Sequence, residues 1–210
     1  MLLVAAPAAS AATTIALEGP SSETTFGDTT TLKGMVAADG TAAPGHTIEL
    51  EGRRYPFESE FAPLDHTTSA ADGSFSFKRT LDRNWQFRVT DAAAGVTSKR
   101  VRAYVFPATT LTFRARSSRV IKLTQRYRVP KGVKLKQPTI FYVGKRGRKT
   151  APRVGSGKLE RVRAGRYTSS LVVRLPKAWH GLFRYASCFR YTGGSGVGDP
   201  RAGCGSKFHF

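Results

Sequence analysis

The sequence predicts an all-β protein built from two tandem β-sandwich domains, with fewer than about a tenth of its residues in helices. Apolar and polar residues alternate over short segments along the whole chain, and Gly, Pro and Asp separate those segments. No stretch of a dozen residues shows helical periodicity. The chain has 210 residues, 40% of them hydrophobic, which is enough for two cores of ordinary size.

The first half of the chain is predicted to contain about seven strands, a common number for a β-sandwich. The clearest covers residues 74–80, in which Phe75 and Phe77 alternate with polar residues. Residues 54–61 are also predicted as a strand, interrupted by Pro56. The other strands predicted for this half cover residues 13–17, 30–36, 46–51, 85–90 and 98–105.

The segment around Pro107 has the composition of a hinge, so we expect one domain over residues 12–106 and a second over residues 107–210. In the second half, residues 120–129 alternate most clearly, with Ile121, Leu123 and Tyr127 on one side and cations on the other. Further strands are predicted near Leu111 and over residues 139–143, 166–175 and 182–191.

Turn and core residues of the first half stand in a characteristic order. They are Gly34, Val36, the run Pro44-Gly45-His46-Thr47-Ile48-Glu49-Leu50, the run Asp72-Gly73-Ser74-Phe75-Ser76-Phe77, the run Arg83-Asn84-Trp85-Gln86-Phe87-Arg88-Val89, and Ser98. Over residues 13–106 this order resembles bacterial immunoglobulin-like domains of exported proteins, including the carboxypeptidase-regulatory-like ones. The resemblance implies an immunoglobulin-like sandwich and no catalytic residues. The second half is similar to such a sandwich only in its strand spacing and in one disulfide expected near its end.

The first eleven residues are expected to be a signal-peptide remnant. An apolar run ends at Ala9, and Ala9-Ser10-Ala11 has the small residues that signal peptidase requires, with cleavage after Ala11. No later stretch approaches the roughly 20 apolar residues that span a bilayer. We therefore expect a secreted or cell-surface protein.

The two cysteines, Cys188 and Cys204, are expected to form one disulfide in an oxidising compartment. The segment between them is rich in glycine and resembles a loop. On the loop-entropy account, closing it stabilises the fold by roughly 3 kcal/mol. A reactive or metal-binding thiol pair is the alternative.

Charge is divided very unequally between the halves. Residues 1–107 hold 10 Lys and Arg against 12 Asp and Glu, whereas residues 108–210 hold 24 against 2. A uniform compositional bias would load both halves alike. The sequence thus suggests an anion-binding site in the second half, at Lys145, Arg146, Arg148 and Lys149 in a predicted hairpin loop, and at Arg161, Arg163 and Arg166.

The expected partner is an anionic cell-envelope polymer or an acidic glycan, with only peripheral contact to the envelope. A solvated basic surface without a dedicated partner is the alternative. A specific nucleic acid is not expected, because the aromatic residues near the cations alternate onto the predicted core face and do not form stacking platforms.

No catalytic residue, metal site or cofactor is expected. None of the four histidines is spaced as part of a metal-binding pair, and after Pro107 the only carboxylates are Glu160 and Asp199. The sequence therefore predicts a non-catalytic spacer, adhesion or envelope-binding protein. The alternatives are an enzyme that acts on polysaccharide and an accessory subunit of a larger extracellular complex.

Overall fold

The computed structural model describes residues 12–21, 23–148, 150–179, 182–191 and 195–198. Within these ranges every complete regular element is a strand, apart from the short 3₁₀ helix at Lys177–Trp179. The prediction of an all-β sandwich fold is confirmed. The strands are β1 (Thr13–Glu18), β2 (Thr24–Thr25), β3 (Thr29–Ala38), β4 (Thr41–Ala42), β5 (Thr47–Arg54), β6 (Ala62–Thr68), β7 (Ser74–Thr80), β8 (Trp85–Asp91), β9 (Val96–Thr97), β10 (Val101–Ala103), β11 (Val105–Phe106), β12 (Ala108–Ala115), β13 (Val120–Arg128), β14 (Thr139–Lys145), β15 (Arg153–Gly157), β16 (Leu159–Arg163), β17 (Arg166–Arg174) and β18 (Phe183–Cys188).

The described chain divides into two compact units. Unit 1 comprises residues 12–21, 29–80 and 85–103, and unit 2 comprises residues 23–28, 81–84 and those from 104 onward. Two short segments from the first half of the sequence therefore belong to unit 2. That the chain forms two domains divided at residues 106–107 stays a prediction, and the predicted signal-peptide remnant lies outside the described residues.

Unit 1 contains two antiparallel sheets. In one, β3 lies between β1 and β7 and also pairs with β4; in the other the order is β10-β8-β5-β6, with β9 pairing β8. Alternate residues of both sheets are buried: Leu32, Val36, Ile48, Leu50, Phe75, Phe77, Phe87 and Val89. A Cβ at Gly34 would lie 2.2 Å from Cζ of Phe75 and 2.3 Å from the carbonyl oxygen of Ala16, so the close approach of β1, β3 and β7 requires glycine there.

The strand predicted over residues 54–61 is wrong. Strand β5 ends at Arg54, Phe57 has a φ of 71°, and its N–H donates to the Arg54 carbonyl at 2.7 Å, which closes a turn. The strand of this region is β6, which begins at Ala62. It is an edge strand that contains Pro63, and most of its residues are exposed, so its sequence lacks the alternation that predicts a half-buried strand.

One histidine of unit 1 bonds to a fully buried carboxylate. Nδ1 of His46 lies 2.5 Å from Oδ2 of Asp91, and Oδ1 of Asp91 accepts from the N–H of Ala94 at 3.1 Å. Burial alone would raise the pKa of Asp91, but the hydrogen bonds from His46 and Ala94 outweigh it and lower the pKa below its usual range. Asp91 thereby holds the turn after β8. The nearby Ser69 hydroxyl accepts from the N–H of His46 at 3.0 Å and donates to the Ala43 carbonyl at 2.8 Å.

Unit 2 contains a four-stranded sheet in the order β12-β13-β17-β16 and a three-stranded sheet in the order β15-β14-β18, with β2 and β11 as a short parallel pair. The packed side chains form two clusters. One contains Leu111, Ile121, Leu123, Phe141, Val143 and Leu175, and the other contains Tyr127, Val129, Val133, Leu135, Tyr167 and Val197. The predicted inward residues of 120–129 are confirmed as buried.

Polar side chains also bond inside unit 2. The Tyr127 hydroxyl lies 2.7 Å from Oγ1 of Thr139, and burial raises its pKa. The hydroxyl of Ser187 donates to Oε1 of the buried Gln125 at 2.6 Å. These bonds join β13 to β14 and to β18, so they fix which ends of the two sheets lie together.

Asn84, the only asparagine of the sequence, is a buried polar centre of unit 2. Its Nδ2 donates to the Gly198 carbonyl at 2.9 Å, and its Oδ1 accepts from the N–H of Val105 at 2.9 Å. Its own N–H donates to the Gly196 carbonyl at 2.8 Å. One amide side chain thus satisfies two backbone groups on segments far apart in sequence.

Cys188 is the last residue of β18 and is buried. Cys204 lies outside the described residues. Their pairing stays a prediction.

Candidate anion-binding surface

The first predicted cluster lies where expected, in a hairpin loop. Lys145 ends β14, and the turn that follows it leads to β15, the antiparallel neighbour of β14. Backbone bonds hold this turn: the N–H of Arg148 donates to the Lys145 carbonyl at 3.2 Å, and the N–H of Arg146 to the Leu182 carbonyl at 3.1 Å. All three cations are exposed, and Lys149 lies outside the described residues.

The second predicted cluster occupies the hairpin of β16 and β17. Arg161 and Arg163 are on β16, Arg166 begins β17, and all three are exposed. Gly165, in the turn between them, has a φ of 71°, and a Cβ there would lie 2.5 Å from the Val129 carbonyl oxygen. Glycine is therefore needed to bring this turn against the end of β13.

The two clusters lie at opposite ends of unit 2. Arg166 pairs with Arg128 at the end of β13 next to Tyr127, and Tyr127 bonds to Thr139 at the start of β14. Lys145 is at the other end of β14, about 20 Å away at the rise of an extended strand. The six described residues of the two predicted clusters thus do not form one site.

A larger basic surface, of which the sequence predicts only Arg166 as a site residue, covers the outward side of the four-stranded sheet. We call it the basic face. Its cations lie on the side of the strands away from the buried residues: Lys122, Arg126 and Arg128 on β13, Arg166 and Arg174 on β17, and Arg114 on β12, the register partner of Lys122. The alternation over residues 120–129 already indicated the outward side of β13. That this side lies next to the outward side of β17 was not predictable, because it depends on pairing between segments that are distant in sequence.

Like charges stand directly opposite each other at one end of the basic face. Arg128 is the register partner of Arg166, and Arg166 is also the partner of Arg163. Directly opposed like charges destabilise a sheet. The Arg128 guanidinium carbon lies 5.7 Å from the Phe26 ring centroid, which gives that one cation an aromatic partner.

Little negative charge balances this surface within the described chain. Glu160 on β16 pairs in register with Thr168, so it shares the outward side of the sheet. None of the six cations of the basic face forms an ion pair with a described carboxylate. The positive potential of the face is therefore available to an external anion.

Hydroxyl groups occupy the middle of the basic face. Thr112, Thr124 and Ser170 form one row across three strands, and the Thr124 and Ser170 hydroxyl oxygens are 3.4 Å apart. Hydroxyls can donate and accept hydrogen bonds, whereas the surrounding cations only donate. The row therefore suits a ligand that carries hydroxyl groups as well as anions.

Within the described ranges, no group of three or more His, Cys, Asp and Glu side chains could hold a metal ion. No helix among the same residues is long and apolar enough to cross a membrane.

The sequence matches no family model and no curated protein. Among solved structures, the chain is similar to E. coli alpha-2-macroglobulin in its native conformation, at 15% identity and a TM-score of 0.36 over 88% of this chain. The chain spans only 13% of the length of that protein. At this TM-score the similarity carries no inference.

Proposed function

We propose that this protein is a non-catalytic, exported binding protein that attaches to an anionic cell-envelope polymer or acidic glycan through the basic face of unit 2. The observation that carries the proposal is the cross-strand row of Arg163, Arg166 and Arg128 beside the other cations of the basic face. None of the three forms an ion pair with a carboxylate in the part of the chain that the structure describes. The signal-like N-terminal sequence supports export. The motif order of residues 13–106 supports an immunoglobulin-like sandwich for unit 1.

The arrangement of the cations favours a polymer over a compact ligand. Neighbouring strands are about 4.8 Å apart, so Arg163, Arg166 and Arg128 place three charges along roughly 10 Å. Arg114 and Lys122 extend the charge to the far side of the hydroxyl row. A chain of regularly spaced anions can contact several of these cations together, and each guanidinium can bind a carboxylate or phosphate with two hydrogen bonds.

The loop of Lys145, Arg146 and Arg148 has a secondary role in this proposal. Its cations stand on a turn about 20 Å from the cross-strand arginines. A long polymer can reach both, but the loop adds charge without the ordered spacing that paired strands impose. The sheet should therefore provide the larger share of the affinity.

Co-sedimentation of the whole protein with a purified anionic wall polymer tests the proposal, with a neutral glycan as control. The bound fraction should fall steeply between about 0.1 M and 1 M salt, since the Debye length shrinks from ~10 Å to ~3 Å. Equal binding to the neutral glycan, or binding that persists at 1 M salt, would contradict it. The whole chain is required because unit 2 includes residues 23–28 and 81–84.

A further inference from the structure

Unit 1 has a basic groove of its own, although the first half of the sequence carries no excess of positive charge. The groove has a volume of about 560 Å³. Its lining consists of Arg53, Glu60, Phe61, Arg88 and residues 97–100. A volume of this size falls in the range of small-molecule sites.

The two arginines of the groove are held in place by neighbours. Nε of Arg53 donates to Oε1 of the buried Gln86 at 2.9 Å, and Nε of Arg88 donates to Oε2 of Glu51 at 2.6 Å. Both guanidinium carbons lie over the Phe61 ring, at 4.6 Å and 4.5 Å from its centroid. The side chains are thus ordered before any ligand arrives, which reduces the entropy cost of binding.

Most of the donor capacity of these arginines remains for a ligand. A guanidinium has five N–H donors. Within the described chain, Arg53 uses Nε and one bond from Nη1 to the Ser59 carbonyl, and Arg88 uses Nε alone. The groove also contains the exposed Lys99 and Arg100.

Positive charge exceeds negative charge in the groove. Four cations line it, against the single carboxylate of Glu60, and Glu51, which is outside the lining, is engaged by Arg88. We propose that the groove binds a compact acidic sugar, a uronic acid or a sugar phosphate. The forked guanidinium groups, stacked on Phe61, match the oxyanion of either acid, and the exposed Thr97 hydroxyl of the lining can bond to a sugar hydroxyl.

The test is an NMR titration of the whole protein with glucuronate, glucose 6-phosphate and glucose. Both acids should shift the amide signals of residues 97–100, and glucose should not. Comparison of the two acids shows which oxyanion binds more tightly. The double substitution Lys99→Ala with Arg100→Ala should weaken binding about tenfold or more, because the ligand loses its hydrogen bonds to two charged groups. Both positions are exposed, so the substitutions should leave the core intact.

A matched control removes two cations elsewhere in unit 1. Lys33 and Lys78 are exposed on the other sheet, so replacing both by Ala lowers the net charge equally but should leave the dissociation constant within about twofold. Equal weakening by both double variants would show a general charge effect and overturn the proposal. Acid-induced shifts confined to unit 2, or shifts of the same size with glucose, would also overturn it.

Discussion

Replacing Arg126, Arg128 and Arg166 together by threonine is expected to weaken binding of the whole protein to an anionic envelope polymer by about a hundredfold at low salt. Each cation close to an anionic surface contributes roughly 1 kcal/mol, and each 1.4 kcal/mol is a factor of ten. Threonine is favoured at exposed strand positions, and the substitution also removes the repulsion between the opposed Arg128 and Arg166. The variant should therefore fold at least as stably as the natural protein.

A second triple variant distinguishes the effect of where the cations lie from the effect of how much charge is removed. Replacing Lys145, Arg146 and Arg148 by threonine removes the same three charges from the loop after β14. Co-sedimentation at matched salt should show a reduction of less than about tenfold, because these cations lack the spacing set by paired strands. If the loop variant loses as much affinity as the sheet variant, the basic face has no special role.

Asn84→Ala is expected to lower the free energy of unfolding by about 2–4 kcal/mol. The substitution removes one side chain that bonds two backbone groups, the Val105 N–H and the Gly198 carbonyl, at a buried position. Buried backbone groups without partners are costly, and alanine leaves both in that state. Urea denaturation, with tryptophan fluorescence as the probe of unfolding, measures the change in the free energy of unfolding.

Gln137→Ala is the matched control for Asn84→Ala. It removes an amide from an exposed position of unit 2, so stability should change by less than about 0.5 kcal/mol. An equally small change for Asn84→Ala would show that water satisfies both backbone groups, and the polar centre of unit 2 would lose its structural role.

Local alternation predicted much of the fold. In residues 120–129 it identified the strand, its buried side and its basic side, because a half-buried strand alternates with a period of two. It failed for β6, an exposed edge strand with a proline, where burial imposes no alternation. Gly34 and its neighbours resembled a known motif, and the contact with Phe75 shows the steric reason for the glycine.

The candidate sites depend on pairing that local sequence does not contain. Arg128 and Arg166 are far apart in the chain, and only the register of β13 with β17 places them opposite each other. The groove of unit 1 likewise combines Arg53, Phe61 and Arg88 from three segments. The sequence does show the concentration of charge in residues 108–210, but the net charge of a segment does not tell which cations share a surface.

Arginine modification is the most direct test of the central claim that the basic face binds anionic polymer. The whole protein would be treated with phenylglyoxal with and without polymer, and each modified arginine read by peptide mass spectrometry. Polymer should protect Arg126, Arg128 and Arg166 at about 0.1 M salt and leave Arg146 and Arg148 reactive, and the protection should disappear at about 1 M salt. Protection of Arg146 and Arg148 with Arg126 and Arg166 still reactive, or uniform protection of every arginine, would contradict the account.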